Sequence, residues 1–167
     1  MTVTAKVRSI VEIVDNSVPD VGDPICYSTR EVYEQAFAAG NGSGQVDKHF
    51  TDTRTIAASG SDSLDLSGSL ANALGATTVF AKVLAIRVRA AAANTNNVVV
   101  GGAGSNTFTG PFADATDKIS IPPGGEFTIV HPTTGWTVTA GTGDILLIAN
   151  SSSGSSVDYD IEIIGHS

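Results

Sequence analysis

The chain has 167 residues, 17 acids against nine bases for a formal net charge of −8, and 41% hydrophobic residues. It is too apolar for disorder, and with 61 Gly, Ser, Thr and Asn residues it lacks the composition of a helical bundle or coiled coil. Scattered bases on an acidic chain exclude a nucleic-acid surface. The longest unbroken apolar run, Ile145-Leu-Leu-Ile-Ala149, falls far short of the ~20 residues of a membrane helix.

Lys6 and Arg8 lie where the apolar stretch of a secretory signal would be, so none is expected and synthesis in a cytoplasm is. Cys26 has no partner for an intrachain disulfide and is expected as a small buried filler. Thr4–Val14 reads as a strand. Val18–Pro24, with Pro19 and Pro24, is an extended or turning stretch. Ser28-Thr-Arg-Glu31 has the form of a capping box, with Val32/Ala36 and Tyr33/Phe37 four apart and Gly40 behind them; a short helix is expected over 29–39.

Beyond the turn Asn41–Gly44 a polar strand is expected at about 46–57, then a turn at Ala58–Ser63 and a crossing loop with a helical turn at Leu66–Gly75. Strands follow at Val79–Ala90, Asn96–Val100, Glu126–Val130, Trp136–Thr139, Ile145–Asn150 and Val157–Ile164. The last alternates cleanly, with Val157, Tyr159, Ile161 and Ile163 on one face and Asp158, Asp160 and Glu162 on the other. Turn residues recur about every ten positions, as in an antiparallel sandwich. The expected fold is therefore all-β, an antiparallel sandwich body over 47–167 with an N-terminal arm, 1–46, that carries one short helix. The expected core joins Leu84, Ile86, Val88, Val99, Phe127, Ile129, Ile148, Tyr159, Ile161 and Ile163.

Val98-Val-Val-Gly-Gly-Ala-Gly104 has the look of a phosphate loop, but Thr107 stands where a third glycine belongs and Phe108-Thr-Gly-Pro111 cannot open a helix. A hairpin turn is the better reading. His49, His131 and His166 are too far apart to spell a metal motif and read as exposed turn residues. No nucleophile elbow, zinc-protease motif or Cys–His pairing is present. No catalytic residue, metal ligand or cofactor is assigned, and the chain is read as non-enzymatic. Asp158, Asp160 and Glu162 form a row that reads as a solvated strand face, with calcium as the competing use; Asp15, Asp20 and Asp23 invite the same weaker thought. Three like charges in a row repel, and Arg87 and Arg89 on one face of the longest strand would offset them. The two strands are therefore predicted to be neighbours. Trp136, alternating with Val138, is expected in the core rather than as a sugar platform.

The segments His49-Phe-Thr-Asp-Thr-Arg-Thr-Ile-Ala-Ala-Ser59, Leu64-Asp-Leu-Ser-Gly-Ser-Leu70, Phe80-Ala-Lys-Val-Leu-Ala-Ile86, Asn94–Asn106, Pro122-Pro-Gly-Gly125, Gly135-Trp136 and Tyr159-Asp-Ile-Glu-Ile-Ile-Gly165 resemble small structural proteins of tailed-phage heads. The resemblance spans about 47–167. It implies a jelly-roll-like virion protein, a capsid decoration or cement protein on the capsid surface. The major capsid protein would be its partner, and it would form a homo-oligomer of two or three copies. The matched residues are strands and turns rather than a site, so fold carries over better than role. A tail or fibre component binding host glycan through Trp136, Asn94, Asn96 and Asn97 is the alternative. Since the sandwich has strands enough to close its own core, the arm's Ile10, Ile13, Ile25, Tyr33 and Phe37 are expected to be buried partly against another chain.

Overall fold

The computed structural model describes residues 2–17, 21, 22, 24–68, 70, 71 and 74–167. Among them are 14 strands and no helix: β1 (Ala5–Ser17), β2 (Ile25–Ala39), β3 (Gln45–Val46), β4 (Lys48–Ile56), β5 (Ser61–Asp65), β6 (Leu70–Ala71), β7 (Thr77–Thr78), β8 (Lys82–Ala90), β9 (Val98–Gly101), β10 (Lys118–Ile121), β11 (Glu126–Val130), β12 (Trp136–Thr137), β13 (Ile145–Asn150) and β14 (Val157–His166). The chain divides into two compact units, Lys6–Ala36 and Met1–Ala5 with Phe37–Ser167.

In the larger unit one sheet runs β11-β8-β14-β4, with β12 also on β8, and a second runs β10-β9-β13-β5. Every pairing in these two sheets is antiparallel. Both sheets feed one hydrophobic cluster: Phe50, Ile86, Val88, Tyr159, Ile161 and Ile163 from the first, Leu64, Val98, Val100, Ile121, Leu146 and Ile148 from the second. The architecture is consistent with a β-sandwich. Period-two alternation is clearest in β14, which turns Val157, Tyr159, Ile161 and Ile163 inward and its acids outward, while β9 and β13 are apolar on both sides. Each fully buried Ile or Leu here is worth roughly 1.5–3 kcal/mol.

Seven of the ten expected core residues are buried (Leu84, Ile86, Val88, Ile148, Tyr159, Ile161, Ile163). Val99 is half-buried, because Val98 and Val100 take the inward positions of β9. Phe127 and Ile129 are also half-buried, packed on the core from β11 at the end of its sheet. Near the end of β14 the register with β8 slips between Ile164 and Gly165. Gly165 is required there: a Cβ would stand 2.1 Å from the Lys82 carbonyl oxygen and 2.8 Å from Phe80.

The expected helix over 29–39 is instead strand β2. Ile25, Tyr27, Thr29, Val32, Tyr33 and Phe37 are β-branched or aromatic residues, which favour a pleated surface. A capping box is worth about 1 kcal/mol, and pairing along a 13-residue partner, β1, outweighs it. Gly40, at φ +137°, ends β2 where a helix stop was expected, and its amide donates to the Val46 carbonyl at 3.0 Å. The end of β2 then pairs with β3 in parallel, Ala38 with Gln45 and Ala39 with Val46.

Other expectations also shift. The presumed turn at Ala58–Ser63 contains the start of β5, and Lys118–Ile121 forms a strand that was not anticipated. Gly101-Gly102 does not make a tight hairpin: β9 and β10 pair antiparallel, but 102–117 is a long excursion that buries Phe108. Residues 66–68 form a turn leading to β6, not a helix; 69, 72 and 73 lie outside the described residues, as do 18–20 and 23 of the proline stretch.

Candidate functional site

The acidic row of β14 is partly neutralised within the sheet, with Asp160 and Glu162 paired to arginines and Asp158 held by a hydroxyl. The strand lies between β8 and β4, with Asp160 opposite Arg89 and Glu162 opposite Arg87, as the charge pattern predicts. Arg87 donates to Glu162 at 2.8 Å and to Glu126 of β11 at 2.8 Å, and Arg89 stands 3.5 Å from Asp160. On the other side Thr53 donates to Asp160 at 2.8 Å and Thr55 to Asp158 at 2.6 Å. The hydrogen bonds to Glu126 and then Glu162 push the Arg87 guanidinium further above its ordinary value. Arg87 in turn holds the Glu126 carboxyl below its usual range, against a smaller opposing effect of burial.

A second polar cluster lines a surface groove of about 410 Å³ between Arg54 and Asp62. Arg54 donates to both oxygens of Asp62 (2.9 and 3.1 Å) and to Asp52 (2.8 Å), and lies over the Phe50 ring at 5.6 Å. The Tyr159 hydroxyl donates to Asp62 at 2.8 Å. Burial, then the bond to Asp62, raises the tyrosine's pKa, so the phenol stays protonated. Asp62 accepts from both Arg54 and Tyr159, which fixes β4, β5 and β14 together.

Asp144, 4% exposed, accepts from the Gly141 amide at 2.5 Å and from the Ser67 hydroxyl at 2.8 Å, while its Oδ1 is buried with no partner. The same hydroxyl is 2.8 Å from Asp65. Among the described residues no group of three or more His, Cys, Asp or Glu side chains is placed to hold a metal ion. Of the acids considered for calcium at the arm, Asp20 and Asp23 lie outside the described residues, and Asp15 is exposed.

The amides considered for glycan contact are committed to the fold. Asn94 exchanges two hydrogen bonds with the Asp158 backbone (2.8 and 2.9 Å), Asn96 donates to Asn150 and Ser155 (3.0 Å each), and Asn97 donates to Ser120 (3.0 Å). Trp136 is half-buried against the core, with the His131 ring edge-on at 5.4 Å. The histidines are not free turn residues: His166 is 9% exposed within β14, and His49 and His131 are half-buried. Cys26 is exposed rather than buried, because β2 carries no cover over it.

The unsatisfied surface is in the smaller unit. Lys6 and Arg8 both pair with Glu34, and Arg30 with Glu12 at 3.7 Å. As positions advance along β1 their partners recede along β2, as an antiparallel ribbon requires. These pairs put the even-numbered residues of both strands on one face, with Ile10, Val14, Val32 and Cys26 among them. The odd-numbered residues form the other face: Val7, Val11, Ile13, Ile25, Tyr27 and Tyr33, with Asp15 and Glu31 its only charges. Val11 (56%), Ile13 (52%), Ile25 (65%), Tyr27 (62%) and Tyr33 (49%) are all exposed. Of the five arm residues expected at a partner, Ile10, Ile13, Ile25 and Tyr33 are exposed, and Phe37, at 2%, is buried within its own chain. Sequence reasoning missed Val11, which shares a face of the expected first strand with Ile13, and Tyr27, which a strand period over 25–33 would have placed on the face of Tyr33.

No helix among the described residues is long and apolar enough to cross a membrane. No family model, curated protein or solved structure matches the chain.

Proposed function

We propose that the chain is a non-enzymatic structural protein of a tailed-phage virion, a capsid decoration or cement protein with a jelly-roll-like body and a hairpin arm that docks onto the major capsid protein. The observation that carries this reading is the arm. A two-stranded ribbon with five large apolar side chains between 49% and 65% exposed on one face is poorly stable in water by itself, and such a patch marks an interaction surface. The body supports the same reading from the opposite side. Its arginines Arg54, Arg87 and Arg89 each pair with acids of the two sheets, which leaves the body net acidic, as suits a part that faces solvent on a particle surface. The resemblance of the strand and turn segments of 47–167 to phage head proteins supplies the address.

The test is the composition of purified virions. The protein is expected at a fixed copy number per particle, with density on the outer shell by cryo-electron microscopy. The double variant Tyr27→Ser/Tyr33→Ser, folded as judged by Trp136 fluorescence, is expected to be lost from particles. Absence of the wild-type chain from purified virions, or full occupancy by the variant, refutes the proposal.

A further inference from the structure

We infer that the odd-numbered face of the β1–β2 ribbon docks onto a protein other than this one, in an apolar groove that carries Lys or Arg side chains. The inference deepens the proposed function and rests on its reading of the arm as a docking element.

Three arguments count against a second copy as the occupant. First, area is short. Thirteen residues at about 3.3 Å each, in two strands about 4.8 Å apart, make a ribbon face of roughly 430 Å². Two such faces stacked bury roughly 860 Å² in total, below the ~1,200 Å² at which stable interfaces begin. A groove that also reaches the ribbon's edges supplies the missing contact. Second, the only charges on the apolar face are Asp15 and Glu31, so stacking two copies would bring four carboxylates together with no cation between them. Third, a copy's own bases are already partnered, Lys6 and Arg8 with Glu34 and Arg30 with Glu12 on the even face. Of the bases in Phe37–Ser167, Lys48, Arg54, Arg87 and Arg89 already pair with carboxylates of their own chain. Lys82 donates to Thr137 at 2.6 Å, and among the described residues of that segment only Lys118 is left without a side-chain partner.

The even face differs in kind: beside Ile10, Val14 and Val32 it carries Lys6, Arg8 and Arg30, each paired with Glu34 or Glu12, so its chemistry does not ask for a basic groove. An anionic membrane or nucleic acid would meet Asp15 and Glu31 with like charge. The occupant is thus a protein, apolar at the centre of its groove and basic where the two acids land.

The test uses the full chain in the cells that produce it, with the photo-cross-linker p-benzoylphenylalanine placed at Tyr27 on the odd face or at Val32 on the even face. Both positions are exposed, so neither replacement disturbs packing within the chain. Mass spectrometry of the adduct is expected to identify a different protein, joined from position 27 and not from 32, at a segment containing Lys or Arg. Adding Asp15→Lys and Glu31→Lys is expected to lower the yield about tenfold or more. If the partner is the major shell protein, both readings stand; if it is another basic protein, this inference stands and the decoration role falls. Adducts between two copies, equal yields from both faces, no adduct, or a yield indifferent to the charge reversals overturns the inference. A self-association of the purified protein that Tyr27→Ser abolishes, seen by light scattering, does the same.

Discussion

Asn150 offers the sharpest test of how the body's loops are held. It is 7% exposed at the end of β13. Its Nδ2 donates to the carbonyls of Ser155 (2.7 Å) and Ala57 (3.2 Å), and its Oδ1 accepts from Asn96 Nδ2 (3.0 Å) and the Ser152 amide (3.2 Å). One amide therefore ties the β4–β5 turn, the β8–β9 loop and the β13–β14 turn. Each such bond is worth about 0.5–1.5 kcal/mol net. In Asn150→Ala the Ser155 carbonyl keeps its bond from Asn96 and water reaches the loop carbonyls, so the four losses do not add in full. The expected cost is about 2–3 kcal/mol. Urea unfolding followed by fluorescence of Trp136, the only tryptophan, would then show a midpoint lower by roughly 1–2 M, given a slope of about 1–3 kcal/mol/M. Asn150→Asp keeps both acceptor bonds but turns an oxygen toward two carbonyls, so it should cost at least as much as alanine. A loss under about 0.5 kcal/mol for either variant would refute the view that this amide organises three loops.

Tyr159→Phe should cost about 1 kcal/mol in thermal unfolding, since it removes one bond to Asp62 while the Arg54 fork and the ring's packing remain. Gly165→Ala should cost about 2 kcal/mol or more, because the new Cβ meets the Lys82 carbonyl, a backbone atom that cannot swing aside. Glu126→Gln tests the charge ladder. The folded-state carboxyl is held below its unfolded value, so its contribution is present above the ordinary carboxylate range and disappears as pH falls through the folded value. With the Glu126 side chain 42% exposed, the variant should lose about 0.5 kcal/mol or less near pH 7 and nothing near pH 2 in parallel denaturation curves.

The body was legible wherever one face alternates. Glu126–Val130 and Ile145–Asn150 are strands with the bounds expected for them, and the pairing of β8 with β14 follows from two arginines and three acids. Legibility failed where a strand is polar. Ser61-Asp-Ser-Leu-Asp65 contributes one core residue, Leu64, and it becomes a strand because β13 supplies its hydrogen-bond partners from 80 residues away. The same holds for Lys118–Ile121, which β9 recruits across the 102–117 excursion. Asp62 reads as a turn residue in isolation; its role with Arg54 and Tyr159 exists only after three strands meet.

The arm shows why the period of a segment, and not its composition, decides what it offers to a partner. Over 27–37 both periods find apolar pairs: Val32/Ala36 and Tyr33/Phe37 at helical spacing, Tyr27, Tyr33 and Phe37 at strand spacing. As a helix, the segment would gather Val32, Tyr33, Ala36 and Phe37 into one stripe, and Arg30 and Glu34 would be helical neighbours rather than partners of β1. As a strand, it divides Val32 from Tyr33, sends Arg30 and Glu34 to the ion pairs with Glu12, Lys6 and Arg8, and leaves Tyr27 and Tyr33 beside Val11 and Ile13. No local preference separates the two, since the capping box and the β-branched residues pull in opposite directions. What separates them is β1, whose charges Lys6, Arg8 and Glu12 recur every second or fourth residue and find complements on β2 only in the strand form. The apolar face is a consequence of that pairing: once Lys6, Arg8, Glu12, Arg30 and Glu34 share one side, Val7, Val11, Ile13, Ile25, Tyr27 and Tyr33 have the other, where Asp15 and Glu31 are the only charges.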